Sequence, residues 1–222
     1  MNVLVFGSTG SIGSYIASRF RESGNNVVGI TTKHENVSSS TVHVDNMIDI
    51  PYVFDSVVWA HGMNYNDSIH SFNSDSFSKI IDANVSFILQ TLKTLIDNKK
   101  IKHGGKLVVI SSIWEETTRP DKLSYTITKA ALSGLVKNLA YDLSQYNILI
   151  NNVLPGVVDN EMTRKTLSEE NIEFIKTFTN FNRLITLEDI YVTLKFLTSE
   201  NSGITGQSIK VDLGFTNIKK YI

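Results

Sequence analysis

A rhythm in the chain restricts its fold more than any single residue does. Short aliphatic and β-branched runs at residues 3–6, 27–30, 42–44, 57–60, 107–110, 148–153 and 208–211 recur between longer amphipathic stretches. Continuous apolar runs of this length suit strands covered on both faces. The stretches at residues 11–23, 75–96, 125–143 and 187–198 carry helical spacing instead, and the last is opened by Thr186 and Asp189 at capping-box distance. Strand alternating with helix predicts an α/β fold, a doubly wound parallel sheet of about seven strands with helices on both faces.

Two stretches interrupt the rhythm. Residues 45–56 leave room for barely a turn of helix, and Pro51 disfavours helix just before it, which predicts a shortened crossover. Residues 157–183 mix polar and aromatic side chains, which suits a substrate flap with one helix near residues 168–178. With 222 residues, no linker and no repeat, the expectation is one domain over 1–222.

Composition removes several function classes. A formal net charge of -1, with Lys and Arg spread along the chain, argues against a nucleic-acid partner. With no cysteine, thiolate nucleophiles and Cys-ligated metals are excluded. The five histidines, His34, His43, His61, His70 and His103, lack the spacing of a helical metal pair, so no metal is expected. No apolar run approaches the roughly 18 residues of a membrane span, and the first residues carry no signal-peptide pattern. The expectation is a cytoplasmic protein that does not engage a membrane.

The first strand runs into Gly7-Ser8-Thr9-Gly10-Ser11-Ile12-Gly13, which opens the first helix. In that setting glycines permit a tight turn and let backbone N–H groups approach a pyrophosphate, so the segment predicts a Rossmann-like dinucleotide site. At the tip of the second strand a carboxylate ordinarily meets the ribose 2′-OH of NAD. Here the tip carries Thr32 and Lys33, hydroxyl and cation suited to a 2′-phosphate, which favours NADP(H) over NAD(H). Lys33 as a plain solvated charge is the competing explanation.

Tyr125 and Lys129 stand one helical turn apart on one face. A neighbouring ammonium stabilises phenolate, which is what a phenolic general acid requires. Spacing alone does not decide the matter, because Tyr191 and Lys195 repeat it. Company does: Ser111 and Ser112 end the strand before Tyr125, where open α/β sheets place their ligand crevice.

Taken together, these residues make the chain resemble the short-chain dehydrogenases/reductases over nearly its whole length. The resemblance assigns Ser112 and Tyr125 to the substrate oxygen, Lys129 to the nicotinamide ribose and the phenol, and Asn84 to a proton-relay water. It places Asp45 and Asn46 at the adenine, Ala60-His61-Gly62 along the adenosine side, and Pro155-Gly156 with Val158 and Asn160 beside the nicotinamide. Several residues depart from the family pattern: His61 for Ala, Asn160 for Thr, Leu213 for the first Gly of a terminal Asp-Gly-Gly, and glycines spaced GxxGxxG.

The implied function is hydride transfer between NAD(P)(H) and a carbonyl or alcohol, in a homodimer or homotetramer. The glycine spacing leaves a nucleotide-sugar epimerase or dehydratase as an alternative, and a catalytically silent cofactor-binding regulator is another. Trp114, Glu115, Glu116 and Arg119, between Ser112 and Tyr125, are candidates for the substrate mouth. With Arg164 and Lys165 of the flap they lean toward a polar substrate.

Overall fold

The computed structural model describes residues 1–179 and 181–217. Residue 180, inside the expected flap, and residues 218–222, the end of the expected domain, lie outside the described residues. The elements in chain order are β1 (Asn2–Phe6), α1 (Ser11–Glu22), β2 (Asn26–Thr31), β3 (Thr41–His43), β4 (Phe54–Trp59), α2 (Ser74–Ile81), α3 (Phe87–Asp97), β5 (Ile101–Ile110), α4 (Leu123–Asp142), β6 (Leu149–Pro155), α5 (Glu161–Thr166), α6 (Glu169–Lys176), α7 (Leu187–Lys195) and β7 (Ser208–Val211). The seven strands form one sheet in the order β3-β2-β1-β4-β5-β6-β7, and every neighbouring pair is parallel. The predicted α/β architecture is the one observed.

Alternation along each strand divides the core into two layers. Leu4 and Phe6 of β1 face α3 and α4, packing with Trp59, Leu92 and Leu132. Val3 and Val5 face α1 and α7, packing with Ile16, Phe20 and Leu194. Phe6 and Trp59 stack with ring centroids 5.5 Å apart, and the Trp59 indole donates to Thr91 Oγ1 at 3.0 Å. Each such fully buried large side chain contributes roughly 1.5–3 kcal/mol, so the two layers hold the sheet from both sides.

Departures from the sequence expectation have local causes. Residues 75–96, expected as one helix, form α2 and α3 joined by a π turn at Asp82–Ser86. The apolar positions continue through that turn, so periodicity does not reveal the inserted residue. α7 likewise runs into a π turn at Phe196–Glu200. β5 begins at Ile101 instead of 107, because its polar start, with Gly104 at φ +80, still pairs with β4 through Phe54 before a register shift between Phe54 and Ser56. The flap holds two short helices where one was expected, with N-cap side chains from Asn160 for α5 and Ser168 for α6. The shortened crossover is a 3-10 turn at Val44–Asp49, and the Thr186–Asp189 capping box forms as expected.

Candidate active site

The strand order reverses direction between β1 and β4, and ligand crevices of open α/β sheets form outside the strand ends at such a switch point. A cleft of about 610 Å³ opens there. The glycine loop after β1 forms one wall, and the segment after β4 forms the other.

Two of the three glycines are dictated by the chain's own close approaches. Gly7 has φ +74, and a Cβ on it would lie 2.6 Å from the His61 backbone nitrogen. A Cβ on Gly13 would lie 2.2 Å from the Gly7 carbonyl oxygen, so α1 approaches the loop only because this residue has no side chain. Gly10 differs: its Cβ would meet nothing nearer than 3.4 Å, yet it lines the cleft and is the N-cap of α1. No side chain caps that helix. Open N–H groups at a helix N-terminus with room for close approach fit a dinucleotide pyrophosphate. Thr9, Ser11 and Ile12 line the same wall.

At the far end of the cleft stand Thr32 and Lys33, both exposed. Lys33 makes no ion pair among the described residues, which leaves its charge available to an anion. Asp45 and Asn46 are exposed in the 3-10 turn after β3 and do not line the cleft. Asp45 Oδ2 instead lies 3.2 Å from His43 Nδ1, and His43 stacks on His34 at 3.8 Å.

The other wall is assembled by α4 and what pins it. α4 starts at Leu123, and its N-terminus is capped from outside its own sequence. The buried Asp67 carboxylate accepts from Ser124 N at 2.9 Å and from the Ser124 hydroxyl. Lys122, just before the helix, donates to Asn64 Oδ1 at 2.6 Å and to Asn66 Oδ1, tying the segment after β4 to the same place. Burial pulls the Lys122 ammonium down to about 8, with Arg119 adding to the effect.

The π turn carries Asn84 inward. Its Oδ1 accepts from Met63 N at 2.7 Å, while its Nδ2 donates to Met63 O at 2.9 Å and Thr128 Oγ1 at 3.0 Å. One side chain thereby locks the cleft wall to α4.

Tyr125 and Lys129 both line the cleft. Lys129 Nζ lies 5.6 Å from the Tyr125 ring centroid and donates to the Ile110 carbonyl at 3.3 Å; Lys122 Nζ lies 5.4 Å from the same ring. Burial raises the Tyr125 phenol above its ordinary range, and the nearby Ser112 hydroxyl works in the opposite direction. Burial lowers Lys129 to about 8, with Glu115 opposing. His61 is lowered to about 4, chiefly by burial and secondarily by Lys129, so it is a neutral imidazole at neutral pH. Both of its ring nitrogens are buried, and among the described residues neither meets hydrogen-bond geometry, although the Ala83 backbone acts on the ring; the ring packs edge-on against Phe87.

Ser111 lines the cleft beside Ile110, and Ser112 sits behind it, accepting from Trp114 N at 3.3 Å. Glu115 does not belong to the mouth, as sequence reasoning allowed. It is only 8% exposed and accepts from Asn152 Nδ2 at 3.0 Å and from the Ser208 hydroxyl. Burial raises its carboxyl above the usual range. Arg119 lies over Trp114, and Glu116 pairs with Lys210.

On the flap side, Asn160 lines the cleft while its Oδ1 caps α5 through Thr163 N at 2.9 Å. Val158 bridges Ile185. Pro155 ends β6, and Gly156 lies so near Asp212 that a Cβ would come within 3.1 Å. The Asp212 turn places Leu213 at φ +54, the left-handed region in which the family's glycine would be relaxed. Arg164 and Lys165 are paired with Asp159 and Glu161, so neither charge is left free for a substrate.

Of the sequence-derived residues, the cleft thus gathers Gly7, Thr9, Gly10, Ser11, Ile12, Thr32, Lys33, Ala60, His61, Gly62, Tyr125, Lys129 and Asn160. Gly13, Asp45, Asn46, Asn84, Ser112, Pro155, Gly156 and Val158 do not line it. Sequence reasoning missed Asp67, Lys122, Asn64 and the buried role of Glu115, whose partners are all distant in the chain. Among the described residues no group of His, Asp or Glu is arranged to hold a metal ion, and no helix is long and apolar enough to cross a membrane.

The chain is similar to known proteins over nearly its whole length. Residues 43–216 match the family model described as enoyl-(acyl carrier protein) reductase. The 3-oxoacyl-(acyl-carrier-protein) reductase of Rickettsia conorii is 29% identical over 95% of this chain and 95% of its own length. The human dehydrogenase/reductase SDR family member 4 is 28% identical over 95% of this chain and 86% of its own. A short chain dehydrogenase family protein from Francisella tularensis has a similar structure, with a TM-score of 0.86, 26% identity, and coverage of 97% of this chain and 98% of that one. The chain belongs to the short-chain dehydrogenase/reductase family, and with it to the NAD(P)-dependent oxidoreductases.

Proposed function

We propose that this chain is an NADP(H)-preferring reductase that interconverts a carbonyl and an alcohol, with Tyr125 as general acid. The observation that carries the reading is the meeting of Tyr125 and Lys129, with Ser112 just behind them, at one wall of a cleft whose other wall is the glycine loop. When bound, the nicotinamide supplies the hydride. Ser112 and Tyr125 hydroxyls hold the carbonyl oxygen in place, and Tyr125 Oη gives it a proton as negative charge develops there. The Lys129 ammonium stabilises the phenolate left behind. Asn84 keeps the wall that carries these groups in register, and is assigned the relay water through which the phenol regains its proton.

The test is net consumption of NADPH against a panel of aldehydes, ketones and 3-oxoacyl thioesters, the last included because a relative is named for them. An epimerase recycles its cofactor and a silent regulator consumes none, so turnover separates the three readings. Tyr125→Phe is expected to lower turnover by about 10²–10⁴-fold with NADPH binding retained. Turnover equal to the parent's sinks the assignment.

The cofactor preference rests on Thr32 and Lys33 standing where a carboxylate would select NAD. Lys33→Ala is expected to weaken NADPH binding about tenfold, roughly 1.4 kcal/mol, and to leave NADH binding unchanged. Equal losses for both dinucleotides, read by fluorescence titration, refute the preference.

A further inference from the structure

Lys129 is an ammonium that is only 4% exposed, and among the described residues its single hydrogen bond is to a backbone carbonyl. A buried charge of this kind needs an opposite charge or it gives up its proton. The groups facing it are Tyr125 on its own helix, with Lys122 across the ring; His61 after β4; and Gly62 beside Asn84. None of these is anionic in the resting site.

Glu115 is the carboxylate whose charge opposes the lowering of Lys129, and its position follows from the sheet. Asn152 alternates with Val153, which faces α1 and α7, so Asn152 points to the opposite layer, where Ile150 packs with Leu132, Leu135 and Val136 of α4. By bonding to Asn152, the Glu115 carboxylate is placed in that α4 layer, at the level of Val109 on β5. Lys129 reaches the carbonyl of the very next residue, Ile110. The 3-10 turn that carries Glu115 packs directly on α4. Around the carboxylate stand Asn152, Ser208, Ser111 and Glu116, and the cation whose charge bears on it is Lys129. Ser111 leans toward it without meeting hydrogen-bond geometry.

We propose that Glu115 is a positioning residue whose buried carboxylate keeps Lys129 in its ammonium form, and through Lys129 governs proton transfer at Tyr125. The proposal rests on the catalytic reading of Tyr125 and Lys129. It explains why a carboxylate is buried under the site and clamped by two strands: Asn152 and Ser208 fix the charge so that it cannot turn out to solvent.

The experiment is a pH titration of the apoprotein carrying lysine labelled with 13C at Cε, the Lys129 resonance being identified by its loss in Lys129→Met. Glu115→Gln keeps the shape and removes the charge, and is expected to lower the Lys129 midpoint by about 1 pH unit. Ser208→Ala keeps the charge and loosens the clamp, and is expected to leave that midpoint in place. An unmoved midpoint in Glu115→Gln overturns the proposal, as does an equal shift in both variants, which would make Glu115 a structural clamp only.

If the glutamine variant does not fold, the parent protein carries the test. Its Lys129 resonance must register the pH at which Glu115 takes up a proton, and a signal blind to that step overturns the proposal equally. Because these titrations need no turnover, they stand or fall apart from Tyr125→Phe: full activity in that variant breaks the catalytic reading and leaves the charge pairing intact.

Discussion

Two tyrosines in this molecule are followed four residues later by a lysine, one on α4 and one on α7, on opposite faces of the same sheet. Tyr125 meets a cleft, a serine hydroxyl and a buried ammonium. Tyr191 is 3% exposed, its ring packs edge-on against Phe20 at 5.3 Å, and its hydroxyl bonds to the Arg19 carbonyl and Ser23. Lys195 is exposed to solvent. Spacing places two groups on one helical face; what that face looks onto decides whether they are chemistry or packing. α4 looks onto the strand ends at the switch point, while Tyr191 of α7 looks onto the C-terminal end of α1.

The largest expected contrast is therefore in turnover. Tyr125→Phe should remove most of it, as argued above, and the same change at Tyr191 should leave it within about twofold, an energy difference below roughly 0.5 kcal/mol. Comparable losses at both positions would dissolve the distinction.

A smaller contrast concerns pH. Burial sets Lys129 to about 8 and holds Tyr125 above its ordinary range, so as pH rises the ammonium is lost before the phenol ionises. Carbonyl reduction should accordingly reach a plateau below pH 8 and fall as the pH passes through about 8. The fall should follow the Lys129 titration, moving to lower pH in Glu115→Gln. A rate that stays flat well above pH 8 would mean that the charge on Lys129 is not needed.

The same contrast explains how much could be read without coordinates. Strands buried on both faces announce themselves as apolar runs, and a glycine loop between strand and helix is a local pattern, so the sheet and one cleft wall were legible. Tyr125 was separable from Tyr191 only because two serines precede it at a strand end. Asp67 capping α4, Lys122 tying Asn64 to the site and Glu115 reaching Asn152 are pairings across dozens of residues, formed by topology and leaving no periodic trace. The π turn that carries Asn84 is hidden for the opposite reason, since its apolar spacing imitates a continuous helix.

The smallest expected effect lies at the second tyrosine and concerns stability alone. Tyr191→Phe keeps the ring against Phe20 and the Arg19 guanidinium above it, and removes only the hydroxyl. Two long contacts are lost, at 3.3 Å to the Arg19 carbonyl and 3.2 Å to Ser23 Oγ. Ser23 keeps its own bond to that carbonyl at 2.9 Å, so no buried polar group is orphaned. The net cost should be about 1 kcal/mol, read as a fall in Tm of about 2–4 °C. Turnover at temperatures well below Tm should not change. A stable variant with impaired turnover would show that α7 communicates with the cleft, and would end the assignment of this second pair to packing.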